Sequence, residues 1–216
     1  MMQSDPVVIA AAVRTPFGRF AGRLSAVTAP ALGASVIRTA IERAGVPPDA
    51  LDEVLMGCVL PAGQGQAPAR QPARLAGLPD AVGVTTVNKV CGSGMKAAML
   101  AHDLILAGSG RIVFAGGMES MSNAPYLLAK ARTGYRVGHD RLIDHMLLDG
   151  LEDAYENGRS MGDFGEATAA AYRFTRQDQD AYAIRTLTRA RGDRRWPVRR
   201  RDRAGRAAGK RRAGGG

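Results

Sequence analysis

The apolar positions of the chain fall into two patterns. Val7-Val8-Ile9-Ala10-Ala11-Ala12-Val13, Glu53-Val54-Leu55-Met56-Gly57-Cys58-Val59 and Arg111-Ile112-Val113-Phe114-Ala115-Gly116-Gly117 are near-continuous apolar runs, the signature of strands buried on both faces of a sheet. Val7–Val13 is expected to lie centrally in that sheet. Val84-Thr85-Thr86-Val87, rich in β-branched residues, favours a further strand. Between the runs the period changes to that of a helix. Pro30 suits a first helical turn, and Leu32, Val36, Ile37, Ala40, Ile41 and Ala44 mark one apolar face that stops at Gly45. Ala67–Gly77 reads as a glycine-closed helix that Pro72 kinks or shortens. Met95, Ala98, Met99, His102, Ile105 and Leu106 recur at helical spacing until Gly108. This β-α-β-α-β rhythm predicts an α/β fold with a mostly parallel sheet and helices on both faces. From Met118 to about Thr188 the rhythm is lost to turns and short helical patterns, an irregular α-rich region. Its last piece, opened by Thr175 and Asp178, carries Ala181, Ala183, Ile184 and Leu187 at helical spacing over Arg176–Arg189.

Composition narrows the possibilities. A chain of 216 residues that is 45% hydrophobic holds one large domain or a domain and a half. No stretch approaches the ~20 apolar residues needed to span a bilayer, and Met1–Asp5 does not begin a basic, then apolar, secretory leader. A cytoplasmic location is the default expectation, with no membrane partner. Cys58 and Cys91 lack metal-type spacing and read as thiols, so no metal is expected. The net charge of +10 is concentrated at one end. Residues 191–216 hold ten Arg and one Lys against Asp193 and Asp202, a net of +9, which leaves +1 for the first 190 residues. The basic character therefore belongs to a tail, and the globular part does not read as a nucleic-acid binder. Arg, Gly, Ala and Pro fill 21 of those 26 positions, and all four have codons written with G and C alone. The tail is expected to be disordered or to derive from a shifted reading frame.

The stretch carrying chemistry is Val87-Asn88-Lys89-Val90-Cys91-Gly92-Ser93-Gly94-Met95-Lys96-Ala97-Ala98. A strand pattern stops at one cysteine and a helical pattern begins after it. The helix N-terminus favours a thiolate, and Gly92, Ser93 and Gly94 allow close approach of a backbone or a substrate. A lone cysteine is also a common small core residue, and that is the reading given to Cys58 in mid-strand. Gly63-Gln64-Gly65-Gln66 lacks the Gly-Lys-Ser/Thr ending of a phosphate loop and is not read as one.

The segment VNKVCGSGMKA resembles the nucleophile segment of the thiolases. Arg14-Thr15-Pro16-Phe17-Gly18-Arg19-Phe20, Gly116-Gly117-Met118-Glu119-Ser120-Met121-Ser122, and Asp149-Gly150-Leu151-Glu152-Asp153-Ala154-Tyr155 followed by Met161-Gly162 resemble thiolase segments in the family's order. The resemblance runs from about Val7 to about Ala190. It implies a thiolase-like N-terminal α/β core over 1–117, a loop domain for CoA over 118–190, and a tail at 191–216. It also implies acyl transfer between CoA thioesters, either forming acetoacetyl-CoA or cleaving 3-oxoacyl-CoA, through a cysteinyl thioester. CoA thioesters would be substrates, with no separate cofactor.

By this resemblance Cys91 is the acyl-accepting nucleophile, its backbone N–H one oxyanion donor, and Leu151 and Met161 line the acyl and pantetheine channel. Ser160 stands where some members carry histidine, and Gly165 replaces a common alanine. The family's activating histidine lies in a Gly-His-Pro segment. Its second cysteine and second oxyanion donor lie in a Cys-x-Gly-Gly-Gly segment. Neither segment occurs in this sequence, so the chain is expected to be a truncated form and inactive alone. None of His102, His139 and His145 fits the base by motif, and His139 and His145 read as solvated polar residues. The strand before Cys91 resembles the family's dimer-forming strand, so a homo-oligomer, dimer or tetramer, is expected. A 3-oxoacyl synthase of the same fold is disfavoured by the Gly-Gly-Met-Glu-Ser-Met-Ser segment. The alternative from another class is a non-catalytic module that binds CoA or a partner and uses a basic tail on nucleic acid.

Overall fold

The computed structural model describes residues 6–192. The expectation of a disordered or misframed tail at 191–216 lies outside the described residues from 193 onward, while its first two residues, Arg191 and Gly192, end a helix. Three strands form a parallel sheet: β1 (Glu53–Gly57), β2 (Gly83–Val87) and β3 (Val113–Gly117), in the order β2-β1-β3. The register is even, with Glu53 opposite both Gly83 and Val113 and Gly57 opposite both Val87 and Gly117. Alternation along β1 separates two cores. Val54 and Met56 pack with α1 (Ala29–Ala44) and α2 (Arg70–Ala76), while Leu55 packs with Ala97 and Ala101 of α3 (Ser93–Leu106). Helices thus cover both faces, as the apolar runs imply.

The helix ends follow local chemistry. Thr28 caps α1 through its hydroxyl, which accepts the Ala31 N–H, and Gly45 closes it at φ 66°. Of the expected α1 face, Ile37 and Ala40 are buried, whereas Leu32, Val36 and Ile41 are partly exposed to a wide cavity. Gly33 lies on the buried side. A Cβ there would come within 3.0 Å of Pro72 Cβ and of Met118 Sδ, so the lack of a side chain sets how closely α1 approaches α2. Pro72 falls in the first turn of the seven-residue α2 and is buried, a place where a missing N–H costs little.

The Val7–Val13 run differs from its expected place. It forms no strand, and Val8 and Ile9 are 74% and 88% exposed. Both hydrogen-bonding edges of β1 are already occupied, by β2 and β3, so no interior ladder position is left for it. The run instead borders the wide cavity beside β3 and the partly exposed side of α1.

After β3 the described chain is less regular. A two-residue antiparallel pair, β4 (Tyr126–Leu127) with β5 (Ile143–Asp144), leads into a π-helical turn at Leu147–Leu151. Then follow α4 (Met161–Ala171) and α5 (Arg176–Gly192). Each of these helices begins with a reciprocal cap. Ser160 and Asp163 exchange hydrogen bonds at α4, and Thr175 and Asp178 do the same at α5. The α5 pattern is legible in sequence, but its apolar residues Ile184 and Leu187 are exposed. No helix among the described residues is long and apolar enough to cross a membrane.

Asp52, just before β1, joins two strand starts. Its Oδ2 accepts the N–H groups of Arg111 (2.7 Å) and Ile112 (3.0 Å). These bonds, that from Ile112 foremost, hold its carboxyl below the usual carboxylate range. A depressed carboxylate stabilises the fold above its unfolded-state pKa, about 3.9, and loses that contribution as pH falls through the lower folded value. Asp52→Ala is therefore expected to lower the urea midpoint at pH 7. The gap from the unsubstituted chain should shrink as pH drops below about 3.9; a gap independent of pH would contradict the assignment.

Candidate active site

Cys91 lies in the five-residue link between β2 and α3, and that link is a bonded turn. Asn88 Oδ1 accepts the Val90 N–H (3.0 Å), an Asx-type turn. Lys89 O accepts the Gly92 N–H (3.0 Å), and Val90 O accepts the Ser93 N–H (3.0 Å). The Ser93 hydroxyl, in a residue only 4% exposed, donates to Val90 O (2.6 Å) and accepts the Lys89 N–H (2.8 Å). Within this turn Val90 has φ 45°. A β-branched residue in the left-handed region is strained by roughly 1–3 kcal/mol. Cys91 follows directly and is exposed.

Below the turn, the end of β1 passes close to the start of α3. A Cβ on Gly57 would sit 2.9 Å from Gly94 N and from the carbonyl carbon of Ser93, so any side chain at position 57 would lift the helix start away from the sheet. Ser93 is buried by this approach. Cys91 lies on the rim of the wide cavity, about 1290 Å³, whose walls include Gly57, Val59, Leu60, Met118, Glu119 and Leu151. The structure brings Cys91 and Leu151 to the same cavity. Met161 does not line it and is the partly exposed first residue of α4, after the Ser160 cap.

The two cysteines have opposite environments. Cys58 is 1% exposed. Its sulfur accepts from Gln64 Nε2 (3.4 Å), and its thiol donates to Glu119 Oε1 (3.7 Å). Burial, assisted by the Glu119 charge, pushes the Cys58 thiol up to about 11. The Glu119 carboxylate itself accepts the N–H groups of Val59 (2.8 Å) and Leu60 (3.1 Å), fixing the loop that leaves β1.

The three histidines also separate. His102 is one helix away from the turn, ~16 Å along the axis for eleven residues, and its ring contacts Asp103 (3.4 Å). His139 is exposed. His145 is 3% exposed and not solvated as its sequence context suggests. Its Nδ1 lies 2.5 Å from Asp149 Oδ2, and its Nε2 accepts the Ala62 N–H (3.4 Å). The ring thereby ties the π-helical turn to the loop after β1, and Gly150 meets Leu60 there. Asp149 is four residues away, but the loop carrying Ala62 comes from 83 positions earlier, and spacing does not show that contact. Ser93 is marked in the sequence only as a small residue allowing close approach, and Asn88 and Glu119 carry no marked role there, although an Asn just after a strand is a recognisable Asx-turn signal. No group of three or more His, Cys, Asp or Glu suited to a metal occurs among the described residues.

Comparison with known proteins gives a consistent result. Residues 7–194 match the thiolase N-terminal domain. The chain is similar to an acetyl-CoA acetyltransferase of Cupriavidus necator, 52% identical over 184 residues, which is 85% of this chain and 47% of the relative. It is 51% identical to acetyl-CoA acetyltransferase 1 of Arabidopsis thaliana over 188 residues, 87% of this chain and 45% of the relative. It is 49% identical to the mitochondrial acetyl-CoA acetyltransferase A of Xenopus laevis over 186 residues, 86% and 44% of the two chains. The chain thus spans about half the length of the curated relatives it matches.

Differential alkylation checks the contrast between the thiols. At pH 8 a thiol of pKa 11 is ionised in only ~0.1% of molecules, and Cys58 is enclosed as well. Iodoacetamide is expected to label Cys91 at least ~100-fold faster than Cys58 in the folded chain. Peptide mass spectrometry showing equal labelling would contradict the assignment.

Proposed function

The chain belongs to the thiolase family, and from that premise we propose that it supplies the acyl-accepting part of an acyltransferase acting on CoA thioesters, with Cys91 as the nucleophile. The observation that carries this reading is the exposed thiol at the start of α3, held on a strained, fully bonded turn at the rim of a large cavity. In the first half-reaction a base removes the Cys91 thiol proton, and Sγ bonds the acyl carbonyl carbon. The bond from that carbon to the CoA sulfur breaks, and the CoA sulfur takes up a proton. The Cys91 N–H is one donor to the oxyanion formed on the way. In the second half-reaction an acyl-CoA loses an α-proton, and its carbon attacks the Cys91 thioester. A carbon–carbon bond forms, the carbon–sulfur bond to Cys91 breaks, and the cysteine is reprotonated. Run backwards, the same steps cleave a 3-oxoacyl-CoA.

The two proton transfers need a base, and none of the three histidines hydrogen-bonds Cys91 among the described residues. In the family these duties fall to the Gly-His-Pro and Cys-x-Gly-Gly-Gly segments, which this sequence does not contain. The chain alone is therefore read as competent to position the nucleophile but not to turn over. Residues 1–117 serve as the core and 118–190 as the loop domain, with Leu151 at the cavity wall and Met161 at the start of α4 as acyl and pantetheine contacts. The place of action is read as the cytoplasm, although relatives include proteins named mitochondrial.

Two outcomes follow. Joining residues 1–190 to the second half of the Cupriavidus necator relative and treating the product with acetoacetyl-CoA is expected to acetylate Cys91. Cys91→Ala should abolish the adduct, while Cys58→Ala should retain it. An acetyl group found on Cys58, or one persisting in Cys91→Ala, would refute the reading.

The second outcome concerns association through exposed apolar surface. Met95, Met99 and Leu106 leave one side of α3 uncovered, and Val8, Ile9 and Phe17 border the cavity. Surface of this kind drives assembly, and among the described residues β2 leaves one edge unpaired for a second copy. Light scattering of the 216-residue chain should show dimers or larger species; a stable monomer at micromolar concentration would remove the basis for a homo-oligomer.

A further inference from the structure

The turn before Cys91 contains two features that oppose each other. Val90 is in the left-handed region at φ 45°, which a β-branched side chain disfavours. Ser93 directs its buried hydroxyl back onto the same turn, joining Lys89 N–H to Val90 O through a single oxygen. Ser93 cannot drift from this position, because Gly57 lies against it from below. Asn88 adds a third hold by accepting the Val90 N–H. A relaxed Val90 would move Lys89 N–H and Val90 O apart, and the bridge could no longer span them.

We infer that Ser93 is a positioning residue for Cys91: its hydroxyl holds Val90 in the left-handed conformation and so fixes where the thiol stands relative to the start of α3. The inference rests on reading Cys91 as the nucleophile, but the geometry it explains is independent of any acyl chemistry. Ser93 is buried beneath the turn, and its hydroxyl is already engaged on both sides, by Lys89 N–H and Val90 O. Its hydroxyl replaces the freedom that glycine would give at position 90. The dependence therefore has a direction. With glycine at position 90 a positive φ carries no side-chain penalty, and the hydroxyl becomes largely dispensable.

A double-substitution cycle on the 216-residue chain tests this, read by hydrogen exchange of the Gly92 and Ser93 amides. Those amides donate to Lys89 O and Val90 O and do not bond the Ser93 hydroxyl, so their protection reports the turn and not the deleted group. Ser93→Ala is expected to speed their exchange about tenfold, the equivalent of ~1.4 kcal/mol, within the range for a lost hydrogen bond. Exchange of α3 interior amides and the protection of Cys58 from iodoacetamide should not change. Val90→Gly alone should stay within about twofold of the unsubstituted chain, and adding Ser93→Ala to it should cost less than about threefold. Alkylation of Cys91 should follow the same order. Equal effects of Ser93→Ala in both backgrounds, or a loss spread over all of α3, would overturn the inference by making Ser93 an ordinary packing residue. Should Ser93→Ala fail to fold, the Val90→Gly/Ser93→Ala chain is expected to fold, and its failure would overturn the inference as well. Failure of acyl transfer to Cys91 would instead count against the nucleophile reading and leave this cycle unaffected.

Discussion

The contact between Gly57 and the first turn of α3 is the constraint on which the rest of the site depends. β1 is paired on both sides, so its end is fixed in the sheet by Val87 on one side and Gly117 on the other. Because Gly57 has no side chain, Ser93 and Gly94 rest almost directly on that end. The helix start is thereby set at the level of the strand ends, and the five-residue link from β2 must turn sharply to reach it. The left-handed Val90 and the exposed Cys91 are consequences of that short path. In a parallel α/β sheet, ligands collect at the carboxyl ends of the strands, and the cavity beside Cys91 lies at such an end.

The same strand end also explains the contrast between the two thiols. One residue beyond Gly57 the chain turns inward, and Cys58 enters the core against Glu119 and Gln64. Glu119 comes from the segment after β3, so a single carboxylate ties the ends of β1 and β3 together through the Val59 and Leu60 amides. His145 ties the later π-helical turn to the same loop. The loops around Cys91 are thus held by buried and half-buried polar side chains, which specify one arrangement only while each is satisfied. Among the described residues Gln64 Oε1 is buried without a hydrogen-bond partner.

Much of this was legible in sequence because it depends on local pattern. The strands around Val54, Val84 and Val113, the helix between Pro30 and Gly45, and the strand-to-helix switch at Cys91 all follow from period and punctuation. The family was legible from the segments around Cys91, Gly116 and Asp149. What was not legible depends on contacts between distant residues. Val7–Val13 reads as a central strand because apolarity does not tell which strands compete for the edges of β1. Met95, Met99 and Leu106 mark α3 by their helical spacing, yet the residues that pack on the sheet are the smaller Ala97 and Ala101. Close approach to the glycine-containing strand ends selects side-chain size over hydrophobicity. His145 and Ser93 owe their burial to partners elsewhere in the fold, and neither spacing nor charge marks them.

The central claim is that the turn at Cys91 presents an acyl acceptor, and the release of acetyl-CoA from a 3-oxoacyl-CoA measures it most directly. Mixing 3-oxoacyl-CoA rapidly with the chain completed by a relative's second half, in the absence of added CoA, should release acyl-CoA in a single burst. The account predicts one equivalent of acyl-enzyme per Cys91, lost in Cys91→Ala and retained in Cys58→Ala. Turnover of the same size in Cys91→Ala would contradict it.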